Sequence, residues 1–147
     1  MFKHLLVAID GSHHSLKAAE KAVAMALQFG SRLTLIHVAR RFHLPDSLKA
    51  YLRDEHIEGE PLYDIDAATR KVIDDVRREA LDAGLHAIDV VFKEGRPARS
   101  IADYAGAHHV DAIVVGSRGL AEPETFLLGS VSHKVANLAG CTVIIVR

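Results

Sequence analysis

The sequence predicts an α/β fold: a doubly wound domain in which a five-stranded parallel sheet carries helices on both faces. Two observations predict it. Apolar runs of strand length alternate with stretches whose apolar residues recur at spacings of three and four. Most of these runs are continuous rather than alternating, which suits strands covered on both faces. The length of 147 residues, with 49% hydrophobic and 25% charged residues, fits one domain over residues 1–147 with a substantial core.

The elements follow in order. Leu5 to Ile9 is the first apolar run, ending at the turn signal Asp10-Gly11-Ser12. Leu16, Ala19, Val23 and Ala26 mark a helix that Gly30 closes. Leu33 to Val38 is the second strand. Arg40 to Tyr63, with Pro45, Gly59 and Pro61, reads as a long loop holding a short helix near Ser47 to Arg53. Ile65, Ala68, Val72, Val76 and Ala80 form the next stripe, with Asp64 and Asp66 at its electropositive end and Gly84 after it. His86 to Phe92 is the third strand. Gly95-Arg96-Pro97 turns into a helix with Pro97 first and Ala98, Ile101, Ala102 and Ala105 inward. Asp111 to Val115 is the fourth strand. Val131, Val135 and Leu138 mark the last helix, ending near Gly140, and Thr142 to Val146 is the fifth strand. Ligands of such sheets sit beyond the carboxyl ends of the strands, where strand order reverses.

Composition narrows the function. A net charge of −1 argues against a large nucleic-acid surface. One cysteine, Cys141, cannot make an internal disulfide, which points to a reducing compartment, and Cys141 is expected to be buried and inert. The opening MFKHLLVAID has an apolar run too short for a signal peptide or a membrane span. A cytoplasmic protein without membrane insertion is expected.

After strand four the chain reads GSRGLAEPETFLLGSVSHKV. Gly116 and Gly119 let backbone approach closely or take positive φ. Gly129 and Ser130 open the last helix, whose first N–H groups lack intrahelical partners. With the hydroxyls of Ser130 and Ser132 this makes a phosphate-type anion site. One helix end contributes only about 0.3–1 kcal/mol when exposed, so several donors must act together. The plainer reading is a glycine turn followed by a serine cap. P-loop chemistry is excluded by the missing Gly-Lys-Ser/Thr, and the dinucleotide fingerprint by the first turn. Asp10, at the end of strand one, suits either hydrogen bonds from ribose hydroxyls or a structural part, capping the first helix or bracing the turn. Val38 suits an adenine slot or plain core. His37, before it, suits a core histidine.

Over nearly its full length the chain resembles the universal stress protein family. The resemblance rests on VAIDGS, LIHV and GSRG…LLGSVSHKV…CTVIIVR, and on the spacing Gly116-x2-Gly119-x9-Gly129-Ser130. It implies an adenine nucleotide alpha-hydrolase-like sheet of order 3-2-1-4-5 and ATP bound across the strand ends with Mg²⁺ or Mn²⁺ on its phosphates. By position, Ala8, Ile9 and Asp10 meet adenosine, Asp10 at the ribose. Val38 meets adenine through backbone and side chain. Val115 and Gly116 lie beneath ribose and base. Arg118 and Gly119 begin the phosphate loop, and Gly129, Ser130, Val131 and Ser132 hold phosphates. Glu122 and Glu124 depart from the pattern by placing negative charge in that loop. Pointing inward they weaken ATP binding or favour a metal bridge; pointing outward they are solvated.

Three readings stand at this stage. The first is a homodimeric ATP-binding regulator of the stress-response kind, a switch or sensor for an unidentified protein effector, with hydrolysis slow or absent because no general base is assigned. The second is a slow ATPase or a phosphoryl- or nucleotidyl-transfer enzyme using Asp10, Glu122 and Glu124. The third is a nucleotide-free interaction module. Dimerisation is expected through the edge strand, by antiparallel pairing of Thr142, Val143, Ile144, Ile145 and Val146 with their own copies; the alternative is an edge blunted by twist and Arg147. The pairs His13-His14 and His108-His109 do not make metal sites, because adjacent helical residues diverge.

Overall fold

The first apolar run folds as strand β1 (His4–Ala8) and lies at the centre of a five-stranded sheet. The computed structural model describes residues 1–40, 67–119 and 127–147, with Ser47, Ala50 and Asp54. After β1 come α1 (His13–Phe29), β2 (Arg32–Ala39), α2 (Ala67–Asp82), β3 (Ile88–Glu94), α3 (Pro97–Ala107), β4 (Ala112–Gly116), α4 (Ser130–Leu138) and β5 (Thr142–Val146). The strand order is β3-β2-β1-β4-β5 with every pair parallel, as the resemblance implies. Most of the long loop and its short helix, the residues Asp64 to Asp66, and the Glu122 and Glu124 segment lie outside the described residues; Ser47 and Ala50 are helical and exposed.

Alternation along the strands divides the core into two layers. Leu5, Val7, Leu33, Leu35, Ala112 and Val114 face α1 and α2, whose Ala18, Ala22, Ile73 and Val76 cover them. Leu6, Ile36, Ile113 and Val115 face α3 and α4, covered by Ile101, Ala105 and Val135. Each fully buried Leu, Ile or Val contributes roughly 1.5–3 kcal/mol relative to exposure. Exposed pairs such as Arg32–Asp89 and Lys71–Asp75 contribute about 0–1 kcal/mol. The two apolar layers therefore hold the sheet.

Gly30 and Pro97 act as expected at helix ends, and the cap of α1 is Ser12 rather than Asp10. Ser12 caps α1 by accepting the Ser15 N–H at 3.1 Å, Gly30 ends it in the left-handed conformation, and Pro97 opens α3. Other details differ. The inward face of α2 is Thr69, Ile73, Val76 and Ala80, so the expected stripe is rotated: Ala68 is exposed and Val72 half-buried. The inward face of α1 carries Ala18 and Ala22, with Leu16 and Val23 flanking it. The third strand is displaced towards Glu94, and Phe92 is exposed beneath the Arg70 guanidinium. Ala102 is only half-buried, and Leu138 is exposed at the end of α4. Cys141 precedes β5 and is half-buried, not buried; desolvation, aided by the Asp111 charge, pushes its thiol up and disfavours thiolate.

At the amino ends of the strands the Asp111 carboxylate accepts the N–H groups of both His4 and Lys3 at 2.8 Å, which holds its carboxyl below the usual range. The His4 ring lies between the His108 carbonyl at 3.3 Å and the Thr34 hydroxyl at 2.8 Å. A carbonyl only accepts, so Nδ1 carries the proton and Nε2 accepts from Thr34. Burial holds His4 below its ordinary value of 6.5. At the opposite ends, a Cβ on Gly116 would lie 2.7 Å from the His14 carbonyl carbon, so α1 packs on bare backbone there.

Gly116→Ala should lower stability by about 1–3 kcal/mol through overpacking. Gly106→Ala, where a Cβ in α3 meets nothing within 4 Å, should instead stabilise by about 0.5–1 kcal/mol. Urea unfolding of both variants checks this, and equal effects would reject the packing account. Because folded His4 resists a proton that the unfolded chain accepts near pH 6.5, stability present above that pH is lost as pH falls through it towards the depressed folded value. His4→Gln should flatten this limb between about pH 7 and 5; an unaltered limb would assign it to other groups.

Candidate functional site

The crevice is defined by β1, which pairs with β2 on one side and β4 on the other, so the chain connections diverge at its carboxyl end. Beyond Ala8, the Ile9 N–H donates to the Ile36 carbonyl at 2.9 Å, and Ile9 packs into the α1/α2 layer. Asp10 then turns away. Its Oδ1 accepts the Ser12 N–H at 2.8 Å, so one oxygen braces the turn, the structural role open to it in the sequence. The other oxygen, Oδ2, lies beside Gly119, where a Cβ would stand only 2.9 Å from it.

Gly11 takes φ 86°, and a Cβ there would come within 2.8 Å of the Thr69 hydroxyl. The first turn of α2 is thus packed against the turn that carries Asp10. Neither Gly116 nor Gly119 has positive φ. Their missing side chains admit His14 and Asp10 respectively, so close approach rather than unusual backbone explains both glycines.

Ser117 ties these parts together. Its N–H donates to the Val146 carbonyl at 2.8 Å. Its carbonyl accepts the Gly129 N–H at 2.6 Å and the buried Ser132 hydroxyl at 3.0 Å. Its own hydroxyl stands 3.5 Å from His14 Nδ1. The Gly129 N–H and Ser132 hydroxyl therefore seat α4 on the end of β4. The amides of Ser130, Val131 and Ser132 form the first turn of α4, where helix geometry supplies no intrahelical acceptor. Ser130 is exposed and Val131 half-buried.

The remaining expected residues gather at the same ends. Val115 is buried in the α3/α4 layer, with Gly116 following it. Val38, on β2, packs partly into that layer. His37 is half-buried, and its Nδ1 donates to the Ile9 carbonyl at 2.7 Å. Arg118 is half-buried between Ser117 and Gly119. The structure brings Ala8, Ile9, Asp10, Gly116 and Gly119 together around β1 and β4, and seats α4 against them through Ser117. Sequence reasoning missed Ser117 and the His37 bond. Ser117 stands inside the quoted GSRG, but no local pattern distinguishes a hub from a loop serine.

Parallel order, covered faces and a divergence point beside β1 define a doubly wound α/β domain, the class in which ligands sit at the strand carboxyl ends. The chain belongs to the universal stress protein family, whose model matches residues 1–147. It is 36% identical to universal stress protein YxiE of Bacillus subtilis (strain 168), over the full length of both chains. The structure of universal stress protein UspA from Lactobacillus plantarum is similar with a TM-score of 0.79 and 28% identity, covering 99% of this chain and 97% of that one. A universal stress protein solved in complex with cAMP is similar with a TM-score of 0.71 and 26% identity, covering 99% and 97% respectively. No helix among the described residues is long and apolar enough to cross a membrane.

Proposed function

We propose that this protein binds an adenine nucleotide, ATP carrying Mg²⁺ or Mn²⁺, across the carboxyl ends of β1, β2 and β4, and acts as a nucleotide-dependent switch. The observation that carries the reading is the meeting of Asp10 Oδ2 and Gly119 across the gap between strand ends. In this reading that carboxylate oxygen accepts from ribose hydroxyls next to the start of the phosphate loop. The cAMP complex of a relative supports an adenine ligand.

In this reading Ala8, Ile9 and Asp10 contact adenosine, Val38 reads adenine, and Val115 and Gly116 form the floor. Arg118 and Gly119 begin the phosphate loop, and the first-turn amides of Ser130, Val131 and Ser132 receive phosphate oxygens. Gly129 and the Ser132 hydroxyl act by seating that turn. The cation rides on phosphate oxygens, as Mg²⁺ does in many nucleotide sites. The switch is a nucleotide-dependent change in a surface offered to a protein effector in the cytoplasm.

The same reading includes a homodimer formed by β5. This strand is at the sheet edge, paired on one side with β4. An antiparallel copy of Thr142–Val146 would cover its other side and its half-buried Val143, Ile144, Ile145 and Val146.

Millimolar ATP with Mg²⁺ should raise the melting temperature, by an amount equivalent to about 2.7 kcal/mol when ligand is at 100 times Kd. Gly129→Asp should abolish the shift while circular dichroism stays native, because it sets a carboxylate at the phosphate end. Full retention of the shift in that variant would refute the phosphate assignment. Sedimentation analysis should give twice the chain mass, and a mass of one chain at every concentration tested would reject the dimer.

A further inference from the structure

The ladder between β1 and β2 stops one rung before the chain geometry requires. In a parallel pair, successive residues of one strand send their N–H and C=O alternately to opposite neighbours. On β2, Arg32 and Ile36 bond towards β1: the Arg32 N–H donates to the Lys3 carbonyl and the Ile36 carbonyl accepts from Ile9. Leu33 and Ala39 bond towards β3: the Leu33 N–H donates to the Ala87 carbonyl and the Ala39 carbonyl accepts from Gly95. Val38, two residues after Ile36, therefore sends both backbone groups towards β1, beyond the last pair Ala8↔Ile36.

In a continued ladder the Val38 N–H would donate to the Ile9 carbonyl. That carbonyl instead accepts from His37 Nδ1 at 2.7 Å. Among the described residues no bond runs from the Val38 N–H to the Ile9 carbonyl, and the β1–β2 pairing ends at Ala8↔Ile36. Ile9 is still held on both sides, by its own N–H on Ile36 and by the imidazole on its carbonyl. The strand end is thus fixed in place without consuming the next donor.

We propose that His37 is a positioning residue that keeps the Val38 backbone edge open for the adenine ring. The donor and acceptor of one peptide edge match adjacent acceptor and donor groups such as adenine N1 and N6. His37 touches neither in this role; because a carbonyl oxygen can accept two bonds, it acts by drawing the Ile9 carbonyl to the imidazole and out of line with the Val38 N–H. A carbonyl accepts but never donates, so the Nδ1–H tautomer is required. The proposal rests on the adenine-binding reading above for its ligand, but the unfilled rung is a property of the protein alone.

Two variants test it. His37→Asn keeps an N–H near the Nδ1 position, whereas His37→Leu removes it at similar volume. Amide hydrogen exchange of the nucleotide-free protein should show Val38 exchanging fast in the parent and in His37→Asn, and slowed at least about tenfold in His37→Leu as the extra rung forms. AMP or ATP affinity, by calorimetry, should fall at least about tenfold in His37→Leu, equivalent to 1.4 kcal/mol, and stay within about threefold in His37→Asn. Slow Val38 exchange in the parent would overturn the proposal. So would His37→Leu binding nucleotide as tightly as the parent. Failure of the parent itself to bind any adenine nucleotide would overturn the reading of the preceding subsection, while the exchange arms still decide whether His37 holds the rung open.

Discussion

The position of β1 between β2 and β4 is the constraint on which the rest depends. Its three central residues Leu5, Leu6 and Val7 are fully buried, and both of its edges are hydrogen-bonded. A strand so confined has no freedom of register, because a slip of one residue would exchange the two core layers. Its carboxyl end is therefore a fixed point, and Ile9 and Asp10 project from it at a set place between the neighbouring strands. The turn that follows is held by short-range bonds among Asp10, Ser12 and Ser15 and by the approach of Thr69 to Gly11. Rigid strands thus deliver the Asp10 carboxylate to the divergence point at the strand ends.

Seating of α4 is the second fixed relation. The Ser117 carbonyl takes two donors from the Gly129 turn, and its N–H continues the ladder to β5. The end of β4, the start of α4 and the end of β5 are joined through one residue.

Much of the fold was legible in the sequence because it depends on patterns that survive without tertiary detail. Continuous apolar runs marked the strands, and Gly30 and Pro97 marked helix ends by local backbone chemistry. Helix rotation was less legible. Thr69 turns inward with Ile73, Val76 and Ala80 and meets the distant Gly11, a tertiary contact that apolar spacing does not show. The half-exposed Cys141 follows from β5 lying at an edge, where one side is uncovered. At the site, Asp10 and Gly119 were legible through their place in a long motif. Ser117 and His37 were not, since each acts on residues remote in the chain, and neither serine nor histidine carries a local signal of such a role.

The order of the strands also governs how the chain meets its surroundings during synthesis. β1 emerges first, and β2 can cover one of its edges early. Its other partner, β4, is more than a hundred residues away along the chain. Until Gly116 has left the ribosome, a strand with the apolar centre Leu5-Leu6-Val7 carries an open edge, the kind of surface that associates with other chains or recruits a chaperone. Translation speed across the intervening segment therefore bears on yield in a way that the stability of the finished molecule does not reveal.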